Sequence, residues 1–215
     1  MLKTNIKASN ISNLTDARYY AAWAVNWLGL DLRASAEQPL SLEEVKAIKD
    51  WVEGPVIVGE VDILDFEATK SIIDFLSLEA IQVGMFTPVE FLRSLQDYTI
   101  IQEIIIDGSM TFSTLTAHIA TYFDVVDYFL LDFEKNGLTW EALQDHSSFS
   151  IEQLQALCRR QKIILGIACK ATALESLLAK LQPYGLSIRG GEEEKVGFKS
   201  FDEVDEFFEA LCIEE

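Results

Sequence analysis

Residues Ile101–Asp132 read "IQEIIIDGSMTFSTLTAHIATYFDVVDYFLLD". The runs "EIIID" at 103–107 and "YFLLD" at 128–132 are apolar at successive positions, so neither reads as a strand with one face in water. Between them lies a helix-like stretch that contains His118. Strand, covering helix and strand in this order make a βα unit of a parallel sheet buried on both sides. The pattern recurs along the chain. Strands are expected at Asn5–Ala8, Trp27–Leu32, Val56–Glu60, Ala80–Val83, Ile101–Ile106, Tyr128–Leu131, Lys162–Leu165 and Leu186–Ile188.

Eight such units in 215 residues predict an α/β fold, a single (β/α)8 (TIM) barrel domain over residues 1–215, near the lower end of the size range for that fold. A doubly wound open sheet is the runner-up. No GxGxxG or GxxxxGK(S/T) follows the first strand, which counts against its nucleotide-binding versions. Helix starts are legible between the strands. Ser41 before "LEEV" makes a capping box with Glu44, Thr87-Pro88 places a cap before a proline, and Ser200 repeats the box with Glu203. The last helix then carries Phe201, Val204, Phe207, Phe208 and Leu211 at helical spacing, which marks a core-facing stripe. A longer connection after Asp132 has a turn at Asn136-Gly137, "SSFS" at Ser147–Ser150 and a helix from about Ile151 to Arg160.

With 49% apolar residues the chain can bury one core. No uninterrupted apolar run reaches ~18 residues and the N-terminus lacks a signal-peptide layout, so a cytoplasmic protein without a membrane association is expected. The three cysteines, Cys158, Cys169 and Cys212, are odd in number and lack CxxC spacing, which argues against a disulfide framework or structural zinc. No metal and no cofactor is expected. Thirty-five acidic against 17 basic residues leave −18, which repels phosphate backbones and makes nucleic acid a poor partner.

Catalytic groups of such a barrel sit where its strands end at the C-terminal face. Here those positions hold Ser9 and Asn10, Arg33, Glu60, Gly84, Asp107, Asp132, Gly166 and "RGG" at 189–191. Carboxylates from three strands would meet at one mouth, as a general acid or as a cation site. Taken singly, Glu60 and Asp107 read as caps of the helices that follow them. His118, inside a predicted helix, and His146, in the long connection, read as packing or surface residues.

Lys7-Ala8-Ser9-Asn10-Ile11-Ser12 with Asp16-Ala17, Gln82, Leu130-Leu131-Asp132 and Gly190-Gly191-Glu192-Glu193…Gly197-Phe198-Lys199-Ser200 stand in the order of the motifs of phosphoribosylanthranilate isomerase, and the chain resembles that family from first strand to last helix. The resemblance implies an Amadori rearrangement of an aminated phosphoribose in tryptophan biosynthesis. Its base would be the cysteine closing strand one and its acid the aspartate closing strand six. Asp132 holds the acid position, whereas Ser9 stands where the thiol belongs, and a hydroxyl needs a neighbouring base to replace it. The arginine that holds the anthranilate carboxylate falls on Gln38, with Arg33 close by as a substitute, and Gln82 takes the family's glutamine as a further substrate contact. The phosphate would lie on Gly166, Arg189, Gly190 and Gly191, although Ile167 replaces a second glycine and Glu192–Glu194 crowd the eighth loop.

Three readings follow from these residues. The first is an isomerase with an unusual base, and the second is a barrel that has lost the reaction and binds a phosphosugar-like ligand or a protein. The third is a different sugar-phosphate enzyme built on Asp132 with Asp107 or Glu60. A homodimer stays open, because Tyr19, Tyr20, Trp23 and Trp27 fit either an apolar patch or the core.

Overall fold

A computed structural model describes residues 1–33, 40–62, 66–145, 149–189, 193–195, 198–199 and 201–213. Eight parallel strands close in sequence order into a barrel: β1 (Asn5–Ile11), β2 (Trp27–Asp31), β3 (Val56–Glu60), β4 (Ala80–Gly84), β5 (Thr99–Ile105), β6 (Tyr128–Asp132), β7 (Ile163–Gly166) and β8 (Gly185–Arg189). The ring closes through β1 and β8, from Asn5 opposite Gly185 to Ser9 opposite Arg189. Helices α1 (Leu14–Ala22), α2 (Leu42–Trp51), α3 (Phe66–Leu76), α4 (Val89–Arg93), α5 (Phe112–Tyr122), α6 (Trp140–Asp145), α7 (Ile151–Arg160), α8 (Leu174–Leu181) and α9 (Asp202–Leu211) occupy the connections and the C-terminal end. A short antiparallel ribbon pairs Glu193–Lys195 with Phe198–Lys199.

The strands bury both faces, as expected of a sheet enclosed by helices. Outward side chains join the helices in one large core. Inward ones form a separate cluster of Trp27, Val58, Ala80, Ile101, Leu130 and Ile164, a packed layer that fills the barrel. Two residues further along each strand, on the same inward face, come Gly29, Glu60, Gln82, Glu103, Asp132 and Gly166. The interior therefore turns from apolar to charged as the strands approach their C-terminal ends.

The C-terminal ends of β4, β6, β7 and β8 run on through the polar residue or glycine that follows the apolar run, whereas β2 and β5 end one residue before the expected Leu32 and Ile106. Ladder hydrogen bonds need only backbone, so the run of hydrophobic side chains understates the strand. The largest correction concerns β1, which was expected to stop at Ala8 and continues to Ile11. Its pairing with β2 shifts register between Ala8 and Ile11, and Asn10 lies in the left-handed region at φ 57°. This is a bulge within the strand, and asparagine is among the few L-residues that adopt it readily. Ser9 is thus an interior residue of β1 and does not occupy a corner after it.

Ser41 caps α2 with the expected box to Glu44, and Ser150 caps α7 with a second box to Gln153. Thr87 does not cap α4: its hydroxyl donates to the carbonyl of Gly84 at 2.9 Å, and Pro88 holds the cap position. The box expected from Ser200 lies outside the described residues. The long connection after β6 contains α6, whose Trp140 is buried, as well as the turn closed by Gly137 at φ 67°. Tyr20 and Trp27 are core residues, while Trp23 stacks on Phe208 of α9 with ring centroids 4.9 Å apart. The three cysteines are free thiols, and among the described residues no helix is long and apolar enough to cross a membrane.

Candidate functional site

Ser9 is 4% exposed and faces the barrel interior. Lys7, two residues earlier on the same face and fully buried, donates through Nζ to Ser9 Oγ at 2.6 Å and to Glu60 Oε1 at 2.5 Å. Ser9 Oγ also shares a 2.8 Å hydrogen bond with Ser187 Oγ of β8. The backbone N–H of Asn10 donates to Glu60 Oε2 at 3.3 Å, so the bulge helps to hold that carboxylate. Gly29 makes room for the pair, since a Cβ there would collide with Glu60 Oε1 and Lys7 Nζ. Glu60 therefore does not cap the helix after β3. It is the counter-charge of a buried ammonium, and a buried charge needs such a partner.

Arg33 lies just past β2 and grips Asp31 with two bonds, Nε to Oδ1 at 2.8 Å and Nη2 to Oδ2 at 2.6 Å. Its Nη2 also donates to Asn10 Oδ1 at 3.2 Å and stands 3.9 Å from Glu60 Oε2. Hydrogen bonding to Asp31 raises its basicity further, against partial burial, and the Glu60 and Glu103 charges add to the rise. The guanidinium expected to receive a substrate carboxylate is already engaged by the chain's own acceptors.

Asp132, 2% exposed at the end of β6, accepts the backbone N–H of Lys135 on Oδ1 at 2.9 Å. Its Oδ2 is paired with Arg189 Nη2 from the end of β8, and Lys135 Nζ stands 3.8 Å away. Lys135 Nζ in turn contacts the Glu103 carboxylate at 2.7 Å. Glu134 next to Asp132 is pushed up by burial and by the Asp132 charge, with Arg189 acting against both.

The expected meeting of carboxylates from three strands is only partly realised. Asp107 is exposed and accepts from Ser109 and Met110 of its own loop, which holds it below the usual carboxylate range. It does not cap a helix either, because Thr111 caps α5. Among the described residues no group of three or more His, Cys, Asp or Glu is placed to hold a metal ion. His118 packs on Tyr122 and meets Gln102 Oε1 at 3.0 Å, outside the barrel interior. His146, Gln38, Gly190 and Gly191 lie outside the described residues.

A cleft of about 610 Å³ opens beside Asp132 where the segments after β6 and β7 meet β8 and α9. Arg189, Lys170, Cys169, Thr172, Glu141 and Phe207 contribute to its wall. Gly166 sits against Asp132, and a Cβ there would make only ordinary contacts 3.7 Å or more away. Burial and the Glu141 charge push the Cys169 thiol up to about 11, so it is a neutral thiol near pH 7. On the opposite side of the mouth, Gln82 is 4% exposed and its buried Oε1 has no hydrogen-bond partner among the described residues.

Sequence reasoning placed Ser9, Arg33, Gln82, Asp132 and Arg189 at the mouth and missed their partners Lys7, Asp31, Glu103, Lys135 and Ser187. The signal was strand parity: Lys7 must share a face with Ser9, as Ile101 does with Glu103.

No protein-family model matches this chain, and no curated protein matches it in sequence. Its resemblance to phosphoribosyl anthranilate isomerases is carried by solved structures. The enzyme from Thermus thermophilus aligns over 97% of this chain and 98% of its own, with 22% identity and a TM-score of 0.76. The Thermotoga maritima enzyme aligns over the same shares with 17% identity and a TM-score of 0.78. A phosphoribosyl anthranilate isomerase in complex with reduced 1-(o-carboxyphenylamino)-1-deoxyribulose 5-phosphate gives 16% identity and 0.76, again over 97% and 98%. These likenesses establish a common barrel architecture along the whole chain.

Proposed function

We propose that this barrel keeps the scaffold of the phosphoribosylanthranilate isomerases without their rearrangement, and that it holds a phosphosugar-like anion in the cleft beside β7, β8 and α9. The reading is carried by one observation: the positions of the family's acid and base are both closed by the chain's own charges. Ser9 Oγ lies between the Lys7 ammonium and Ser187, neither of which is a base that could take its proton. Asp132 is clamped by Arg189 and by the Lys135 backbone. To give a proton to a ring oxygen it would first have to be released from the guanidinium. The nearby Cys169 does not replace the missing thiol, because it stays protonated at neutral pH.

The cleft has the volume of a small-molecule site, ~300–1,000 Å³. Lys170 on its wall supplies positive charge for a phosphate, while Arg189 is already held by Asp132, and Glu134, Glu141 and Glu206 share the wall. A neighbour of the same fold holds a phosphorylated sugar derivative, which supports this ligand class.

Two measurements test the reading. The chain, expressed solubly, is expected not to restore growth without tryptophan to a bacterial strain lacking the isomerase, and Ser9→Cys alone is expected not to restore it either. Growth with the wild-type chain would overturn the loss of activity. Calorimetric titration with inorganic phosphate is expected to show binding that Lys170→Ala weakens, and absence of binding would remove the ligand class.

A further inference from the structure

We infer that the cleft beside β7, β8 and α9 takes up an oxyanion together with one proton from solvent, which the Glu134 carboxyl holds and shares with the anion as a hydrogen bond. The inference rests on the proposed anion-binding reading and adds the proton that such binding needs. Glu134 opens the single helical turn Glu134–Asn136 that follows β6. Its backbone is fixed on both sides. Phe133 is fully buried and donates its N–H to the Gly166 carbonyl at 2.8 Å, and the N–H of Gly137 donates to the Glu134 carbonyl at 2.8 Å. The side chain stands partly buried on the cleft wall. Among the described residues its carboxyl has no hydrogen bond and no ion pair, whereas the carboxylate of Asp132 just before it has both.

The charges of the wall are set against a bare anion. Among the described residues of the wall, Lys170 is the cation without an acidic partner, because Arg189 is held by Asp132. Lys135, beside Glu134 in sequence, is engaged by Glu103. Glu134 of the turn after β6, Glu141 of α6 and Glu206 of α9 stand against that single lysine, and the Cys169 thiol stays neutral. A dianion that enters between ionised carboxylates meets more negative than positive charge. One proton on a carboxyl changes both signs of that contact, since it removes a negative charge and turns an acceptor into an O–H donor.

Glu134 is the group placed to carry that proton. Of the three wall carboxyls it is the partly buried one, while Glu141 and Glu206 are exposed. Burial pushes it above the usual carboxylate range against the pull of Arg189, and the Asp132 charge adds to the rise. An anion bound beside it acts in the same direction as Asp132, so it draws a proton onto Glu134. Linkage requires the converse: a protonated Glu134 binds the anion more tightly than an ionised one.

Calorimetry on the full chain with sulfate tests the coupling, because sulfate stays a dianion between about pH 5 and 8 and any proton taken up on binding is then the protein's. Titrations in two buffers of different ionisation enthalpy count that proton. Wild-type protein is expected to take one up and to bind sulfate more tightly as pH falls from about 8 to 5, by at most about tenfold per unit for a single proton. Glu134→Gln keeps a donor without a titrating proton. It is expected to bind sulfate at about pH 8 roughly fivefold or more tighter than wild type, without proton uptake, and Glu134→Ala is expected to lose the uptake as well. Wild-type binding without uptake, which needs no variant to fold, overturns the coupling and leaves anion binding standing. Undiminished uptake in either variant places the proton on another group and overturns the role of Glu134. Binding of inorganic phosphate but not of sulfate means that the ligand brings its own proton, which overturns that role too. Binding of neither anion overturns the proposed function together with the inference.

Discussion

Lys7 and Glu60 form an ion pair in which both side chains are at most 1% exposed. Removing one partner leaves the other's charge buried without its counter-ion, at a cost of about 3–5 kcal/mol, whereas removing both leaves no orphan charge. Lys7→Met is therefore expected to lose about that much stability in urea unfolding, and Lys7→Met with Glu60→Gln to recover most of it. Equal losses in the single and double variants would show that packing, and not charge, decides the site. Ser9 depends on the same pair, since its hydroxyl accepts from Lys7. A cysteine at this position would sit against an ammonium already neutralised by Glu60, in a mouth whose other charges are paired as well.

At the scale of elements, the apolar runs, the Ser41 capping box and the helical stripe made the barrel legible, because strand burial and helix starts are written in neighbouring residues. The mouth was much less legible. Ion pairs such as Arg189 with Asp132 or Lys135 with Glu103 join residues 57 and 32 positions apart, and only the closed ring of strands brings them together. The bulge at Asn10 was hidden for a different reason: a polar residue in a strand reads as its end, while the backbone continues the ladder. Helix α5 carries a prediction of its own. Burial lowers the pKa of His118 below its ordinary value of 6.5, so the unfolded chain takes up its proton first as pH falls. The stability tied to a neutral His118 is complete above about pH 6.5 and is lost as pH drops through the lower, folded value. The urea midpoint is expected to fall between about pH 7.5 and 5.5, and to fall less in His118→Asn. The same fall in both proteins would remove His118 as a source.

Across the whole molecule, eight charges of the mouth pair off among the described residues: Asp31, Glu60, Glu103 and Asp132 face Lys7, Arg33, Lys135 and Arg189. With four of each sign balanced there, the net −18 of the chain belongs to the remaining residues. Repulsion among such charges works against the compact state and is screened by salt, over a Debye length that shrinks from about 30 Å at 0.01 M to about 8 Å at 0.15 M. The thermal midpoint is expected to rise over that range of sodium chloride, because buried pairs are screened far less than surface charges. A falling midpoint would mean that exposed ion pairs contribute more than the excess charge removes.

The balanced ring also bears on how such a protein can change over generations. Each charge is tolerated because its partner is present, so a substitution that opens one position leaves a lone ion on another strand. Glu60 cannot become apolar while Lys7 stays, and Arg189 cannot leave without exposing Asp132 to Lys135 and Glu134 alone. Opening the mouth therefore requires paired replacements, whose single-step intermediates are the least stable members of the path. The ring thus resists change by single substitutions and yields only to paired ones.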